Sequence, residues 1–236
     1  MAAIKTLLLS GQNNHDWKRS TPRLRDILEK SGKFSVTVTE KPPEVLENAA
    51  ALRTYKLLVS DYNGPRWGAQ AEANFVDAVR AGTGLAIIHA ANNAFVGWKE
   101  YEQMCALMWS TGTSHGEFHE FSVDIVDREH PITRGLGNFK HWDELYHKLV
   151  HMQNTPYHVL ADAYSDPKTR GSGRREPMLV TVQFGQGRVF HDILGHVWAG
   201  DPEKNKGCSL IAFEDEPFQK TLVRGCEWAA TGGTTD

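Results

Sequence analysis

Cysteine is scarce in this sequence. Among its 236 residues there are only three cysteines, Cys105, Cys208 and Cys226. They are odd in number, lie far apart and form no C-x-x-C pair, so neither a disulfide framework nor a thiolate zinc site is expected. The chain also lacks a strong excess of charge of either sign. Its net charge of −3 gives no reason to expect a nucleic-acid partner.

Long apolar runs are absent as well. The longest ones cover a handful of residues, far below the roughly 20 that span a bilayer, so no membrane association is expected. The first segment, MAAIKTLLLSGQNN, has a lysine inside its apolar part and polar residues after it. That pattern suits a first β-strand better than a signal peptide, and we expect a cytoplasmic protein. No G-x-G-x-x-G fingerprint follows this strand, so no nicotinamide cofactor is expected.

The sequence instead shows alternating strand and helix signals over its first two thirds. Short buried or alternating runs predict strands at residues 4–9, 34–39, 55–60 and 84–88. Amphipathic segments between them predict helices. These helices are expected to begin at Ser20-Thr21-Pro22, to span Ala69–Ala81 and to lie within Tyr101–Met108. Such alternation is typical of an α/β protein with a parallel sheet and helices on both faces.

The pattern changes from Glu117 onward. HEFSVDIV and YHVLADAY alternate with period 2 and have no long helix between them, which predicts antiparallel strands added to the parallel sheet. MLVTVQFG and GRVFHDIL, joined by Gly185-Gln186-Gly187, predict a β-hairpin. A final helix is predicted over Glu216–Ala230. Because the chain contains no repeat or linker, residues 1–236 are expected to form a single domain.

Polar residues collect where the predicted parallel strands end. Asn14, His15 and Asp16 follow the first strand, Asn63 follows the third, and His89 stands at the end of the fourth. The carboxyl ends of parallel strands border the ligand crevice in open α/β sheets. We therefore expect these side chains to line one polar crevice.

Two later segments are expected to join the crevice. In Asp143-Glu144-Leu145-Tyr146-His147, Glu144 and Tyr146 would share one face of an extended segment, while Asp143 and His147 take other directions. The second strand of the hairpin ends at Gly195-His196, where the glycine permits close approach of the backbone to a ligand.

Other histidines have more ordinary interpretations. His115 and His119 could share a metal only if their H-x-x-x-H spacing lay on a helix, and the period-2 pattern argues against one. His130 is expected to order a turn before Pro131. The histidines expected at surface or packing positions are His141, His151 and His158.

Five motifs together resemble the ThuA-like, or trehalose-utilisation, family. They occur in order along nearly the whole chain. The motifs are N-N-H-D at 13–16, G-L-A-I-I-H at 84–89, H-P-I-T-R-G-L at 130–136, D-E-L-Y-H at 143–147 and G-R-V-F-H-D-I-L-G-H at 187–196. The resemblance implies a class I glutamine amidotransferase-like fold, a flavodoxin-like parallel sheet with added strands.

The same resemblance bears on His89. In amidotransferases, the turn after the equivalent strand holds a nucleophilic cysteine, whereas this chain has a histidine there and none of its cysteines nearby. Glutamine hydrolysis through a thiol is therefore not expected.

The family is associated with the breakdown of trehalose and related sugars through 3-keto-glycosides. The resemblance thus implies an enzyme that removes a proton next to the carbonyl of a keto-sugar, with glycoside cleavage or isomerisation as the result. His89, Glu144 and His196 are the candidate catalytic residues, with Glu144 or His89 as the base and a metal or His196 as the electrophile. The candidate substrate-binding residues are Asn14, His15, Asp16, Asn63, Tyr146 and Gly195. Trp17 and Trp67 are further candidates for stacking on a sugar ring.

A divalent metal is a further expectation, with zinc first. His15, His89, Glu144 and His196 provide the nitrogen and oxygen donors that such an ion prefers. The sequence equally allows a metal-free site in which these groups carry protons. It also leaves open a non-catalytic carbohydrate-binding protein that uses the same crevice, and assembly into a homo-oligomer.

Overall fold

The computed structural model describes residues 2–235 and contains a nine-stranded sheet. The strands are β1 (Ile4–Leu9), β2 (Phe34–Thr39), β3 (Leu57–Ser60), β4 (Gly84–Ile88), β5 (Leu107–Met108), β6 (Ser114–Ile125), β7 (Phe139–His147), β8 (Val150–His151), β9 (Tyr157–Tyr164), β10 (Arg175–Phe184) and β11 (Gly187–Asp192). The strand order in the large sheet is β2-β1-β3-β4-β11-β10-β9-β6-β7, and β5 and β8 form a separate two-stranded sheet.

The sheet has a parallel half and an antiparallel half. Strands β2, β1, β3, β4 and β11 are parallel neighbours, and β10, β9, β6 and β7 continue the sheet in antiparallel pairs. This confirms the predicted fold class. The bounds of β1, β2 and β4 are those predicted, whereas β3 begins at Leu57 rather than at Tyr55.

Helices cover both faces of the parallel half. The helices are α1 (Trp17–Lys30), α2 (Pro42–Leu46), α3 (Ala49–Leu52), α4 (Ala69–Arg80), α5 (Lys99–Cys105) and α6 (Glu216–Thr231). Leu8 of β1 packs in one hydrophobic cluster with α1 and α6, and its neighbours Leu7 and Leu9 pack in a second cluster with α4 and α5. Successive strand residues point to opposite faces, so burial on both sides explains the continuous apolar runs.

The predicted start of the first helix was wrong. Helix α1 begins at Trp17, three residues before Ser20, and contains Pro22. The hydroxyls of Ser20 and Thr21 donate to Asp61 Oδ2 at 2.8 and 2.7 Å instead of capping the helix. They tie α1 to the carboxyl end of β3 and so fix the loop that carries His15.

The β6–β7 ribbon brings the antiparallel half to the parallel strand ends. β6 pairs with β9 only at Asp124 and Ile125, and the rest of its length pairs with β7. In β7, Asp143 accepts a hydrogen bond from the backbone N–H of Gly195, just past the end of β11. The ribbon therefore reaches the edge of the sheet where β1, β4 and β11 end. Among residues 2–235, no helix is long and apolar enough to cross a membrane.

Candidate active site

His89 lies at a sharp turn directly after β4. Its φ is 43°, a left-handed conformation that is uncommon for a residue other than glycine, and a 3₁₀ turn over His89–Asn93 follows. Its Nδ1 donates to the carbonyl oxygen of Ile193 at 2.7 Å, because a carbonyl can only accept. This leaves a lone pair on Nε2, which is buried and has no hydrogen-bond partner within the described chain.

His15 lies in the loop after β1 and is oriented by two asparagines. Its backbone N–H donates to Asn13 Oδ1 at 3.0 Å, and its ring Nδ1 donates to Asn14 Oδ1 at 3.1 Å. Asn63, after β3, donates to the same Asn14 oxygen at 2.7 Å. The lone pair of the His15 ring is therefore on Nε2, the atom that faces the other histidines.

His196 follows β11 in a segment that Asp143 fixes. Gly195 has a φ of +116°, which side-chain-bearing residues rarely adopt. The amide of Gly195 donates to Asp143 Oδ2 at 2.7 Å, and that of His196 approaches the same oxygen at 3.4 Å. The glycine and the carboxylate together turn the His196 ring toward the ends of β1 and β4.

The three imidazoles meet in the interior. His15 Nε2 lies 3.0 Å from His196 Nδ1, and one nitrogen from each of His15, His89 and His196 lies within 4.8 Å of the others. The residues are 7%, 2% and 0% exposed. Burial lowers the pKa of all three, to about 3 for His196, and their mutual repulsion as cations adds to the effect for His15 and His196. The three rings are thus neutral at pH 7.

Glu144, on β7, lies beside the three imidazoles. We call His15, His89, His196 and Glu144 together the histidine cluster. Its Oε1 accepts from the indole N–H of Trp198 at 2.9 Å. Its Oε2 lies 3.4 Å from His196 Nδ1 and 3.3 Å from His115 Nδ1, and among residues 2–235 it accepts no hydrogen bond. Burial raises the pKa of this carboxyl to about 7, and the Trp198 bond opposes the rise. The structure thus brings together all four residues proposed to share a site.

A β-bulge places two further side chains on this face of the ribbon. His115 pairs with Tyr146 and Phe118 pairs with Glu144, so the two β6 residues between them, Gly116 and Glu117, lie opposite the single residue Leu145 of β7. His115 and Phe118 therefore both face the cluster, although they are three residues apart. The ring of His119 has a different partner, because its Nδ1 donates to the carbonyl oxygen of Glu117 at 2.6 Å. His115 and His119 accordingly do not form a metal pair.

A buried ion-pair triad supports the cluster from behind. His141 lies between Asp143 and Asp215 at 3.1 and 3.0 Å, and its side chain is fully buried. Burial alone would lower the pKa of His141, but the two carboxylates outweigh it and raise the pKa to about 9. His141 is therefore a buried packing residue, one of the two roles predicted for it, but its charge was not predicted from the sequence. His151 and His158 are exposed, as predicted, and His130 Nδ1 accepts from Ile132 N in the predicted turn.

The predicted substrate-binding residues differ in their position relative to the three histidines. Asn14 and Asn63 lie at the rim beside His15, and the buried Tyr146 ring lies 4.2 Å from that of His89. Gly195 shapes the backbone beside His196. Asp16 instead pairs with Arg19 at 2.7 Å.

The aromatic side chains at the site differ from those expected. Trp67 is 3% exposed and packs in the core between helices and sheet, so it cannot stack on a ligand. Trp17 is half-buried on α1. Trp198 stacks on His15, with ring centroids 4.3 Å apart and an interplanar angle of 12°. Sequence reasoning missed His115 and Trp198, because neither the bulge nor the packing of the segment after β11 leaves a periodic signal.

The donor set fits a divalent metal. His15 Nε2 and His89 Nε2 carry lone pairs, the His89 atom lacks a partner in the described structure, and a carboxylate oxygen lies beside them. Two donors on one zinc ion at about 2.1 Å are themselves roughly 3.0–3.4 Å apart. The His15–His196 and His196–Glu144 separations of 3.0 and 3.4 Å match that spacing. Neutral imidazoles and a carboxylate are also the protonation states that binding requires.

Comparison with solved structures shows proteins of the same architecture. A ThuA-like protein from Parabacteroides merdae is 37% identical, with a TM-score of 0.87, and the match covers 100% of this chain and 92% of that one. A ThuA-like protein from Bacteroides uniformis is 17% identical, with a TM-score of 0.74 and coverage of 98% and 94%. The glutaminase domain of Trypanosoma brucei CTPS, 10% identical, has a TM-score of 0.56 and coverage of 99% and 96%, which shows the amidotransferase-like fold alone.

Sequence comparison gives the family. No curated protein sequence matches the chain. The sequence model of the ThuA family, described as trehalose utilisation, matches residues 5–229, which include the four clustered residues and every strand of the large sheet except the first residue of β1. The chain belongs to the ThuA family, and its place is therefore in carbohydrate metabolism.

Proposed function

We propose that this protein is an enzyme of carbohydrate breakdown that removes a proton next to the carbonyl group of a keto-sugar or 3-keto-glycoside. The observation that carries the proposal is the convergence of Glu144 with three neutral, buried imidazoles at the carboxyl ends of the parallel strands. The description of the family as trehalose utilisation supports the substrate class.

Glu144 is the proposed base. A ketone at C3 of a sugar acidifies the hydrogen on C2, and a carboxylate can take that proton while the electron pair of the C–H bond moves toward the carbonyl oxygen. A pKa raised to about 7 makes Glu144 a stronger base than an ordinary carboxylate, and about half of the Glu144 carboxyls are still ionised near neutral pH. The Trp198 bond to Oε1 fixes the group and leaves Oε2 to accept the proton.

Two outcomes follow once the proton has moved. If the C1–O bond breaks, its electron pair leaves with the departing group and the glycoside is cleaved. If Glu144 returns the proton to carbon or to oxygen instead, the product is an epimer or an isomer. Both outcomes use the same chain residues, because each begins with loss of the C2 proton.

The histidines are proposed to hold a divalent metal, zinc in the first instance, with His15, His89 and His196 as the nitrogen donors. When bound, such an ion supplies Lewis acidity toward the carbonyl oxygen. Glu144 could join as a further donor or remain the base beside it. In the metal-free alternative, His196 would donate a hydrogen bond to the carbonyl oxygen and His89 Nε2 could share the role of base.

The test is incubation of the purified protein with 3-keto-trehalose and 3-keto-glucosides in deuterated water, followed by NMR. Cleavage products, an isomer, or deuterium at C2 without net reaction each support the enzyme. Binding of sugars without any of these would favour a non-catalytic carbohydrate-binding protein. The rim residues Asn14 and Asn63 are the proposed contacts to sugar hydroxyls in both cases.

A further inference from the structure

We propose that His115 is a further catalytic residue, the acid that protonates the oxygen of the departing group when a 3-keto-glycoside is cleaved. This inference rests on the proposed function, since it takes Glu144 as the base that removes the C2 proton. It also favours cleavage over isomerisation, because only cleavage needs a proton on a departing oxygen.

Cleavage moves two protons. Glu144 Oε2 takes the proton from C2, and the electron pair of that C–H bond forms the C1=C2 double bond of an unsaturated 3-keto-sugar. The C1–O bond breaks with its electron pair on the departing oxygen, which takes a proton from His115 Nε2 and leaves as an alcohol. An alkoxide without that proton is a poor leaving group, so an acid at this oxygen lowers the barrier. Because C1 and C2 are neighbouring atoms, the base and the acid must lie side by side.

His115 lies beside Glu144 and has one ring nitrogen free. Its Nδ1 donates to the carbonyl oxygen of Gly116 at 2.7 Å, because a carbonyl can only accept, and the same atom lies 3.3 Å from Glu144 Oε2. These contacts fix the rotation of the ring. Within residues 2–235 the other nitrogen, Nε2, makes no hydrogen bond and is left for a ligand.

The exposure of His115 suits a residue that meets the departing group. Its side chain is 29% exposed, whereas that of Glu144 is 7% exposed. A departing alcohol moves from the buried base toward solvent, and the His115 ring lies on the solvent side of that base. The same exposure lets Nε2 take a new proton from water before the next turnover.

Two other hydrogen donors on this face are less suited to the role. The indole N–H of Trp198 is bound to the carboxylate of the proposed base at 2.9 Å. Tyr146 is 4% exposed, and its ring packs against those of His89 and Trp109 at 4.2 and 4.7 Å. A half-exposed imidazole is the better acid, since histidine is the side chain most often used for proton transfer to a reacting group.

The experiment compares two 3-keto-glucosides that differ in the leaving group. Methanol needs a proton on its oxygen to leave, whereas 4-nitrophenolate leaves as a stable anion. Cleavage of methyl 3-keto-glucoside and of 4-nitrophenyl 3-keto-glucoside would be followed by NMR in deuterated water for the wild type, His115→Gln and the control His119→Gln. His119 lies on the same strand, but its ring bonds to the backbone of Glu117. Loss of the C2 proton, counted as deuterium in the remaining substrate plus product formed, is measured in the same samples.

His115→Gln should cleave the methyl glycoside at least about a hundredfold more slowly than the wild type, the loss typical of a missing general acid. It should cleave the 4-nitrophenyl glycoside, and remove the C2 proton from both substrates, within about threefold of the wild-type rate, because the base is intact. Retained proton removal also shows that the variant is folded. His119→Gln should behave as the wild type with both substrates.

Equal slowing of the two glycosides by His115→Gln, or unchanged cleavage of both, overturns the role of His115. Exchange at C2 without any cleavage by the wild type also overturns it, while Glu144 stays the base of an isomerase. If the wild type removes no C2 proton from either substrate, the proposed function itself fails and this inference fails with it.

Discussion

His15 Nε2 and His196 Nδ1 lie 3.0 Å apart, although 181 positions separate the two residues in the sequence. The parallel pairing of β1, β3, β4 and β11 brings the ends of distant strands to one edge and accounts for this contact. Two neutral imidazoles at this distance, with a carboxylate oxygen 3.4 Å away, form a preorganised set of donors.

The first prediction concerns metal content. The wild type should contain close to one equivalent of a divalent ion by elemental analysis, and His89→Ala should lower both the metal content and the activity. His89 Nε2 is a buried lone pair that the described chain leaves without a partner, so its loss removes one donor of the set.

The matched control for this prediction is His151→Ala, because His151 is exposed on the short strand β8. It should keep both metal and activity. A wild type that carries no metal after growth with zinc, yet loses activity on His89→Ala, would support the metal-free alternative.

A second prediction concerns Asp143, which positions the site without belonging to the donor set. Asp143→Asn keeps the size of the side chain but leaves the buried His141 cation with one carboxylate partner fewer. Removing one partner of a buried ion pair costs about 3–5 kcal/mol, and the free energy of unfolding measured in urea should fall by about that amount.

The control for Asp143→Asn is Asp201→Asn. Asp201 pairs with Lys204 at 3.4 Å on the surface and is 46% exposed, so its change should lie within about 0.5 kcal/mol of the wild type. If Asp143→Asn were as mild as this control, the proposed support of Gly195 and His196 by Asp143 would be wrong.

A third prediction concerns pH. The folded state holds the pKa of His141 at about 9, above the 6.5 of an unfolded histidine, so its contribution is fully present below pH 6.5 and lost as the pH rises toward 9. Burial raises the pKa of Asp192 to about 8, so the folded protein holds this proton more tightly than the unfolded chain does. The free energy of unfolding therefore also falls as the pH rises from about 4 to 8. The unfolding free energy should therefore decline between pH 6.5 and 9.

The variant that tests this assignment is His141→Gln, which cannot be charged. It should be less stable than the wild type near pH 6.5 and should show a shallower decline up to pH 9 in urea titrations at fixed ionic strength. Parallel curves for the two proteins would contradict the role of His141.

A fourth prediction concerns thiols. Cys105, Cys208 and Cys226 are buried, and burial raises the pKa of the Cys105 and Cys226 thiols far above the ordinary value. A variant with all three changed to serine should keep the activity of the wild type apart from losses that follow its lower stability. Irreversible inactivation of the native protein by a thiol reagent, with protection by substrate, is the result that would overturn this.

Much of the parallel half of the fold is readable from the sequence because burial on both faces leaves a continuous apolar run. The bounds of β1 and β4 match the prediction for this reason. The start of α1 does not match the prediction. Ser20 and Thr21 are residue types that favour the N-cap of a helix, but here they bond to Asp61, a partner that is about 40 residues away. A local pattern cannot show which long-range acceptor a hydroxyl will find.

The residues of the candidate site could likewise be predicted only in part. His15 and His89 could be predicted to meet because each follows a predicted parallel strand. His196 was predicted from the second strand of the hairpin, which the structure places parallel to β4. His115 could not, since its orientation depends on one extra residue in β6 between His115 and Phe118. The charge of His141 could not be predicted from the sequence either, because it depends on Asp215, which lies 74 positions later in the chain.

The proposed role of Glu144 as the base is tested by the rate of deuterium incorporation at C2 of a 3-keto-glucoside, followed by NMR for the wild type, Glu144→Gln and the exposed control Glu203→Gln. Glutamine has nearly the size of glutamate but cannot take a proton from carbon, and loss of a general base typically costs about 10²–10⁴-fold in rate. We predict that exchange falls by at least about a hundredfold in Glu144→Gln and is unchanged in Glu203→Gln. Exchange in Glu144→Gln at the wild-type rate would show that Glu144 is not the base and would contradict the account.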